Sequence, residues 1–239
     1  MHLLDLGSLS AVVCDPIAPA AVPTDVVLLH GFGAPGTDLV GLARSLNAPP
    51  GTRFIFPQAP HLLDPQQPQG GRAWWHIDML SLSVMRMTGQ DDELAQMDPP
   101  GLDEARSALD QALLQLQEEH GLAFERTVLG GFSQGAMLSC DWALRSNQPL
   151  AGLVQLSGTV ICEPEWTARL PRRAMLNVFQ SHSPDDQVLP FSLAERLATH
   201  MKRAALAHQF VSFRGGHGIG PEVSAALSDF LTRRLKAVI

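Results

Sequence analysis

Ser133 lies between two glycines in Gly130-Gly131-Phe132-Ser133-Gln134-Gly135-Ala136-Met137, a spacing that suits a hydroxyl used as a nucleophile. The short β-prone run Thr127-Val128-Leu129 precedes it, and Ala136 to Leu144 reads as a helix. A serine on such a strand-to-helix turn carries its Oγ out beyond the sheet. Side chains at 131 or 135 would crowd the turn, which gives both glycines a physical reason. A hydroxyl attacks only when a base takes its proton and an acid orients that base. Acid candidates stand in Gln180-Ser181-His182-Ser183-Pro184-Asp185-Asp186, and the base candidate is His217 in Arg214-Gly215-Gly216-His217-Gly218. Each has a plainer reading. Serine after glycine is a common turn residue, paired aspartates favour a helix start, and a histidine among glycines is often simply exposed. Their joint occurrence in the order serine, acid, histidine, each after a predicted strand, favours the chemical reading.

The elements that must position these groups alternate along the chain. Residues 1–14 are expected to supply an edge strand, and Pro16, Pro19 and Pro23 interrupt regular structure after it. Val26-Val27-Leu28-Leu29 is continuously apolar, as a buried central strand would be, and it ends at His30-Gly31. A helix is predicted over 38–46 and a strand at Phe54-Ile55-Phe56. Leu102, Ala105, Leu109, Ala112, Leu113 and Leu116 mark an amphipathic helix that Gly121 stops. Strands at 126–130, 151–156, 174–179 and 208–213 then alternate with helices at 133–146, 190–206 and 221–236. That pattern predicts an α/β fold with a mostly parallel sheet covered on both faces.

Composition narrows the function classes. The length of 239 residues suits one large α/β domain, taken as 1–239. The net charge of −7 gives no basic surface for nucleic acid. No run approaches the roughly 18 apolar residues that span a bilayer, so no stable membrane insertion is expected. The N-terminus lacks a basic region, and Asp5 interrupts its apolar run, so no secretion signal is read there. The 3 cysteines, Cys14, Cys140 and Cys162, are widely spaced, which argues against a disulfide framework and for a cytoplasmic setting. The 9 histidines are scattered without a HExxH pair, and no metal or cofactor is expected. Whether the chain is a monomer or a homodimer stays open.

Several sequence blocks converge on one family. In order they are Leu29-His30-Gly31-Phe32-Gly33, Phe56-Pro57-Gln58-Ala59-Pro60, Gly131-Phe132-Ser133-Gln134-Gly135, Leu156-Ser157-Gly158, and His182-x-x-x-Asp186-x-Val188-Leu189-Pro190, with Gly216-His217 closing the set. These blocks resemble the phospholipase/carboxylesterase family, the α/β-hydrolase branch that includes acyl-protein thioesterases and small bacterial carboxylesterases. The resemblance implies an α/β-hydrolase fold and hydrolysis of carboxylic esters or thioesters through an acyl-enzyme. It implies Ser133, Asp186 and His217 as catalytic residues, with Asp185 as the alternative acid. Ser183 stands where the family usually has glycine. The backbone N–H groups of Phe32 and Gln134 are implied as the oxyanion hole, and His30 as a residue that shapes the loop. Lysophospholipase or dienelactone-type hydrolysis, and a non-catalytic binding protein on a retained core, are the competing readings.

Residues 58–101 form the least regular stretch. Arg72-Ala73-Trp74-Trp75-His76-Ile77-Asp78 resembles the family's tryptophan-containing segment, which implies Trp74 or Trp75 as a wall of the substrate pocket. Both could equally anchor a long loop on the core. Leu80 to Met87, including Met85, is expected as a short helix or flap over an acyl chain, or as core filling. Asp91-Asp92-Glu93 is expected as its solvated end.

Overall fold

The computed structural model describes residues 1–236. Strands β1 (His2–Leu6) and β2 (Leu9–Cys14) form an antiparallel hairpin, so the predicted single edge strand is in fact two. Gly7, at φ +73°, makes the turn between them. The sheet continues through β3 (Thr24–Leu29) and β4 (Thr52–Gln58). A 3₁₀ turn at Asp38–Gly41 and the short α1 (Leu42–Ser45) lie between these two, in place of one continuous helix over 38–46.

The irregular stretch contains more structure than its composition suggests. β5 (His61–Leu62) and β6 (Arg72–Ala73) pair as a small separate ribbon. α2 (Met79–Met87) comes next, its N-terminus capped by the Asp78 carboxylate, which accepts from the Leu80 and Ser81 amides. Asp91-Asp92-Glu93 opens a further helix, α3 (Asp91–Gln96), instead of ending the flap. Three carboxylates in a first turn favour that helix start electrostatically. α4 (Leu102–His120) buries all six residues of its predicted apolar stripe, and Gly121 ends it at φ +68°.

The second half of the sheet is β7 (Thr127–Phe132), β8 (Gly152–Leu156), β9 (Asn177–His182) and β10 (Ala207–Ser212). Helices α5 (Gln134–Arg145), α6 (Glu163–Arg169), α7 (Phe191–Arg203) and α8 (Pro221–Lys236) alternate with them. β9 begins three residues later than predicted, because Leu170–Arg173 winds into a 3₁₀ turn that carries the chain further before it extends. α6 escapes the sequence pattern because it is short and buries one large side chain, Trp166.

Strand order is β1-β2-β4-β3-β7-β8-β9-β10, parallel from β4 to β10 and antiparallel at the β1-β2-β4 end. Alternate side chains of β3 divide the core: Val27 and Leu29 join the cluster under α4, α5 and α7. Val26 and Leu28 join the cluster under α8. Helices on both faces seal a sheet whose central strands are apolar throughout. Phe32, Ser133, Asp186 and His217 follow the carboxyl ends of β3, β7, β9 and β10, where such sheets gather their sites.

Candidate active site

Ser133 comes directly after β7 at φ +53° and ψ −117°, a conformation that ordinary side chains seldom adopt. Close approach of backbone to backbone forces it. A Cβ on Gly135 would stand 2.3 Å from the Leu29 carbonyl oxygen, and one on Gly131 would stand 2.5 Å from the Gly135 carbonyl carbon. The elbow therefore fits against the end of β3 only with glycine at both positions. The Ser133 amide donates to Leu156 O at 2.8 Å, tying the turn to β8.

His217 stands in the loop after β10, with Phe132 packed on its ring at a centroid distance of 4.9 Å. Its Nε2 is 2.9 Å from Ser133 Oγ, and its Nδ1 is 2.7 Å from Asp186 Oδ2. Asp186 Oδ1 accepts from the Val188 and Leu189 amides at 2.7 and 2.9 Å. Burial raises the Asp186 carboxyl, but the bonds from His182, His217 and Leu189 outweigh it and hold the group below the usual carboxylate range. Asp185 points elsewhere and pairs with exposed Arg214 at 2.8 Å. Ser183 needs no left-handed backbone; its Oγ accepts from the Asp185 amide at 3.1 Å, so serine in the usual glycine position supports this turn.

A second histidine reaches the acid. His182 ends β9, fully buried, with Nε2 3.2 Å from Asp186 Oδ2 and 3.2 Å from Leu189 O. Both neighbours of Nε2 are acceptors, so this nitrogen carries a proton, and Nδ1 is buried without a partner among the described residues. In the sequence His182 marks where to count to the acid; its own contact with that acid shows only in three dimensions.

The loop after β3 faces the elbow. Among the described residues the amides of Phe32 and Gln134 have no protein acceptor, as an oxyanion hole requires. The ribbon clamps this loop: Gly33 N–H donates to Arg72 O at 2.9 Å and Arg72 N–H to Ala34 O at 3.0 Å. His30 is committed to backbone, with Nδ1 2.9 Å from Gly31 O and Nε2 accepting from the Ala59 amide at 3.1 Å. The Gln134 side chain accepts from Trp74 N–H at 3.0 Å and donates to Trp75 O at 2.8 Å, joining the tryptophan segment to the elbow.

A cavity of about 230 Å³ opens at Ser133 and His217. Trp75, Ile77, Leu82, Met97, Ile161 and Leu193 supply much of its wall. Trp74 lies behind the wall, fully buried, donating from Nε1 to His30 O at 2.9 Å. Met85 packs against the core cluster, and Met79 and Leu82 of the same helix face the cavity instead. Among the described residues no three His, Cys, Asp or Glu side chains gather closely enough to hold a metal ion, and no helix is long and apolar enough to cross a membrane.

A mostly parallel sheet with a serine on the strand-to-helix elbow defines an α/β-hydrolase. The family model described as Phospholipase/Carboxylesterase matches residues 10–235, and the chain belongs to that family. It is 27% identical over 247 residues to acyl-protein thioesterase 1 of Mycosarcoma maydis, covering 97% of this chain and 100% of the relative. It is 30% identical over 175 residues to acyl-protein thioesterase 1 of Cryptococcus neoformans var. neoformans, covering 72% of this chain and 69% of that one. The crystal structure of esterase PE8 superposes with a TM-score of 0.74 at 27% identity, covering 93% of this chain and 97% of that one. The protein is accordingly a hydrolase of the esterase and thioesterase kind.

Proposed function

We propose that this hydrolase cleaves carboxylic esters and thioesters of apolar acyl groups, with Ser133 as nucleophile, His217 as base and Asp186 as the acid that orients it. The hydrogen-bonded line Ser133 Oγ, His217 Nε2, His217 Nδ1, Asp186 Oδ2 at the mouth of an apolar cavity carries this reading. His217 takes the Ser133 proton as Oγ attacks the carbonyl carbon. The Phe32 and Gln134 amides receive the oxyanion, and Asp186 stabilises the imidazolium. His217 then protonates the departing alkoxide or thiolate. A water molecule, deprotonated by His217, cleaves the acyl-enzyme and restores Ser133.

Among the described residues the wall contains no arginine or lysine. A dienelactone-type substrate carries a carboxylate that would enter this cavity unpaired, at a cost in desolvation. Acyl groups without charge fit it. The chain acts as one such domain, needs no cofactor, and covers the acyl pocket with residues 58–101 through α2. Lysophospholipid hydrolysis stays within the same chemistry and differs only in the leaving group.

The test is a chain-length series of acyl esters with matched thioesters, run on the wild-type protein and on Ser133→Ala. Turnover by Ser133→Ala should fall by roughly 10⁶, as for other serine hydrolases stripped of the nucleophile. Wild-type rates in the Ser133→Ala protein, or no labelling of Ser133 by a fluorophosphonate, would overturn the assignment.

A further inference from the structure

Among the described residues, the polar groups of the cavity wall are Ser133, His217, the Trp75 indole N–H and one hydroxyl, that of Thr159. Thr159, in the loop after β8, is 2% exposed and forms part of that wall. Its Oγ1 has one protein partner among the described residues, Met137 Sδ at 3.9 Å, and Met137 is itself a wall residue. Thioether sulfur is a weak acceptor. Sulfur can only accept from this hydroxyl, and among the described residues no protein donor is bonded to its oxygen. Burying a hydroxyl so poorly bonded costs stability. Valine has nearly the same shape and would line an alkyl pocket without that cost.

The position of this hydroxyl relates to the nucleophile through α5. The Met137 amide donates to Ser133 O at 3.1 Å, which places Met137 about one helical turn from Ser133, about 6 Å along the axis. Gly158 presses on the same turn, where a Cβ would stand 2.7 Å from Ala136 Cβ. Thr159 therefore shares one cavity wall with Met137, Ser133 and His217, the cavity that an acyl chain attached to Ser133 would enter.

We propose that Thr159 Oγ1 accepts a hydrogen bond from a hydroxyl on the third carbon of the acyl group, so that the site selects 3-hydroxyacyl esters and thioesters over plain alkanoyl ones. The selectivity rests on Ser133 being the nucleophile. A site that offers a buried hydrogen-bonding group discriminates against the analogue that leaves it unpaired.

The experiment compares kcat/KM for 3-hydroxyhexanoyl, 3-oxohexanoyl and hexanoyl thioesters of one thiol, each divided by its rate of alkaline hydrolysis. The wild-type protein should favour the 3-hydroxy substrate by about three- to tenfold, the scale of one neutral hydrogen bond. Thr159→Val should bring that ratio to about one whatever its absolute rate, and Thr159→Ser should keep it. A wild-type ratio near one, a preference for the 3-oxo substrate, or a preference that survives in Thr159→Val would overturn the proposal. Hydrolysis of none of the three, or hydrolysis undiminished in Ser133→Ala, would instead bring down the nucleophile assignment.

Discussion

His182 Nε2 lies 3.2 Å from Asp186 Oδ2, the oxygen that also accepts from His217 Nδ1 at 2.7 Å. One carboxylate oxygen thus holds two imidazoles, one fully buried and one facing the nucleophile. The two amide donors on Oδ1 complete a shell of four.

Removing the buried partner should loosen the carboxylate without touching substrate. His182→Leu is expected to lower kcat by roughly ten- to hundredfold with little change in KM, the worth of one hydrogen bond to a charged group. His182→Gln, which returns an N–H near the same place, should recover most of the loss. Steady-state kinetics on both variants, with circular dichroism to confirm folding, decides it. Wild-type kcat in His182→Leu would show that the contact does not position the acid.

The same shell predicts how stability varies with pH. The Asp186 carboxyl is held below its usual range, so the unfolded chain binds its proton first as pH falls. The stabilisation is complete above the unfolded value of about 3.9 and is lost progressively below it. Thermal melts of the wild-type protein between about pH 2 and 6 should therefore fall more steeply toward acid than those of Asp186→Asn. Parallel curves would show that the group contributes nothing to acid sensitivity.

The elbow stores strain at its tip and tolerates nothing at its sides. Gly135→Ala drives a methyl toward Leu29 O and should destabilise the fold by about 3 kcal/mol or more, since backbone on both sides leaves no room for relief. Ser133→Gly relieves the positive φ and should be the more stable of two inactive variants, exceeding Ser133→Ala by about 1 kcal/mol. Denaturant midpoints measure both. A Gly135→Ala protein as stable as wild type would refute the tight fit.

Much of this arrangement is legible in the sequence because local patterns report directly on it. The apolar period of residues 102–116 fixes α4, and the glycines flanking Ser133 signal a close approach that their neighbours confirm. What pattern cannot show is direction and distance. Trp74 and Trp75 are adjacent, yet one binds His30 O behind the wall and the other faces the cavity. Nothing in the sequence marks Met97, Ile161 and Leu193 as cavity wall, because a void between distant segments leaves no trace in any one of them. Asp185 and Asp186 are indistinguishable by type; the amides of Val188 and Leu189 turn one inward, and Arg214 holds the other outside. The start of β9 is displaced because a 3₁₀ turn consumes chain ahead of residues that look β-prone.

The strand order has a bearing on biosynthesis. β3 lies between β4 and β7, and β7 is translated well after β4, with the whole of residues 59–126 between them. A nascent chain that has emerged only as far as Arg126 offers the whole apolar edge of Thr24–Leu29 to any other strand nearby. The ribosome-bound half-protein therefore carries an unpaired apolar strand edge, the kind of surface that invites aggregation. Synonymous codon changes that slow translation between residues 60 and 126 should lower soluble yield without altering the finished enzyme.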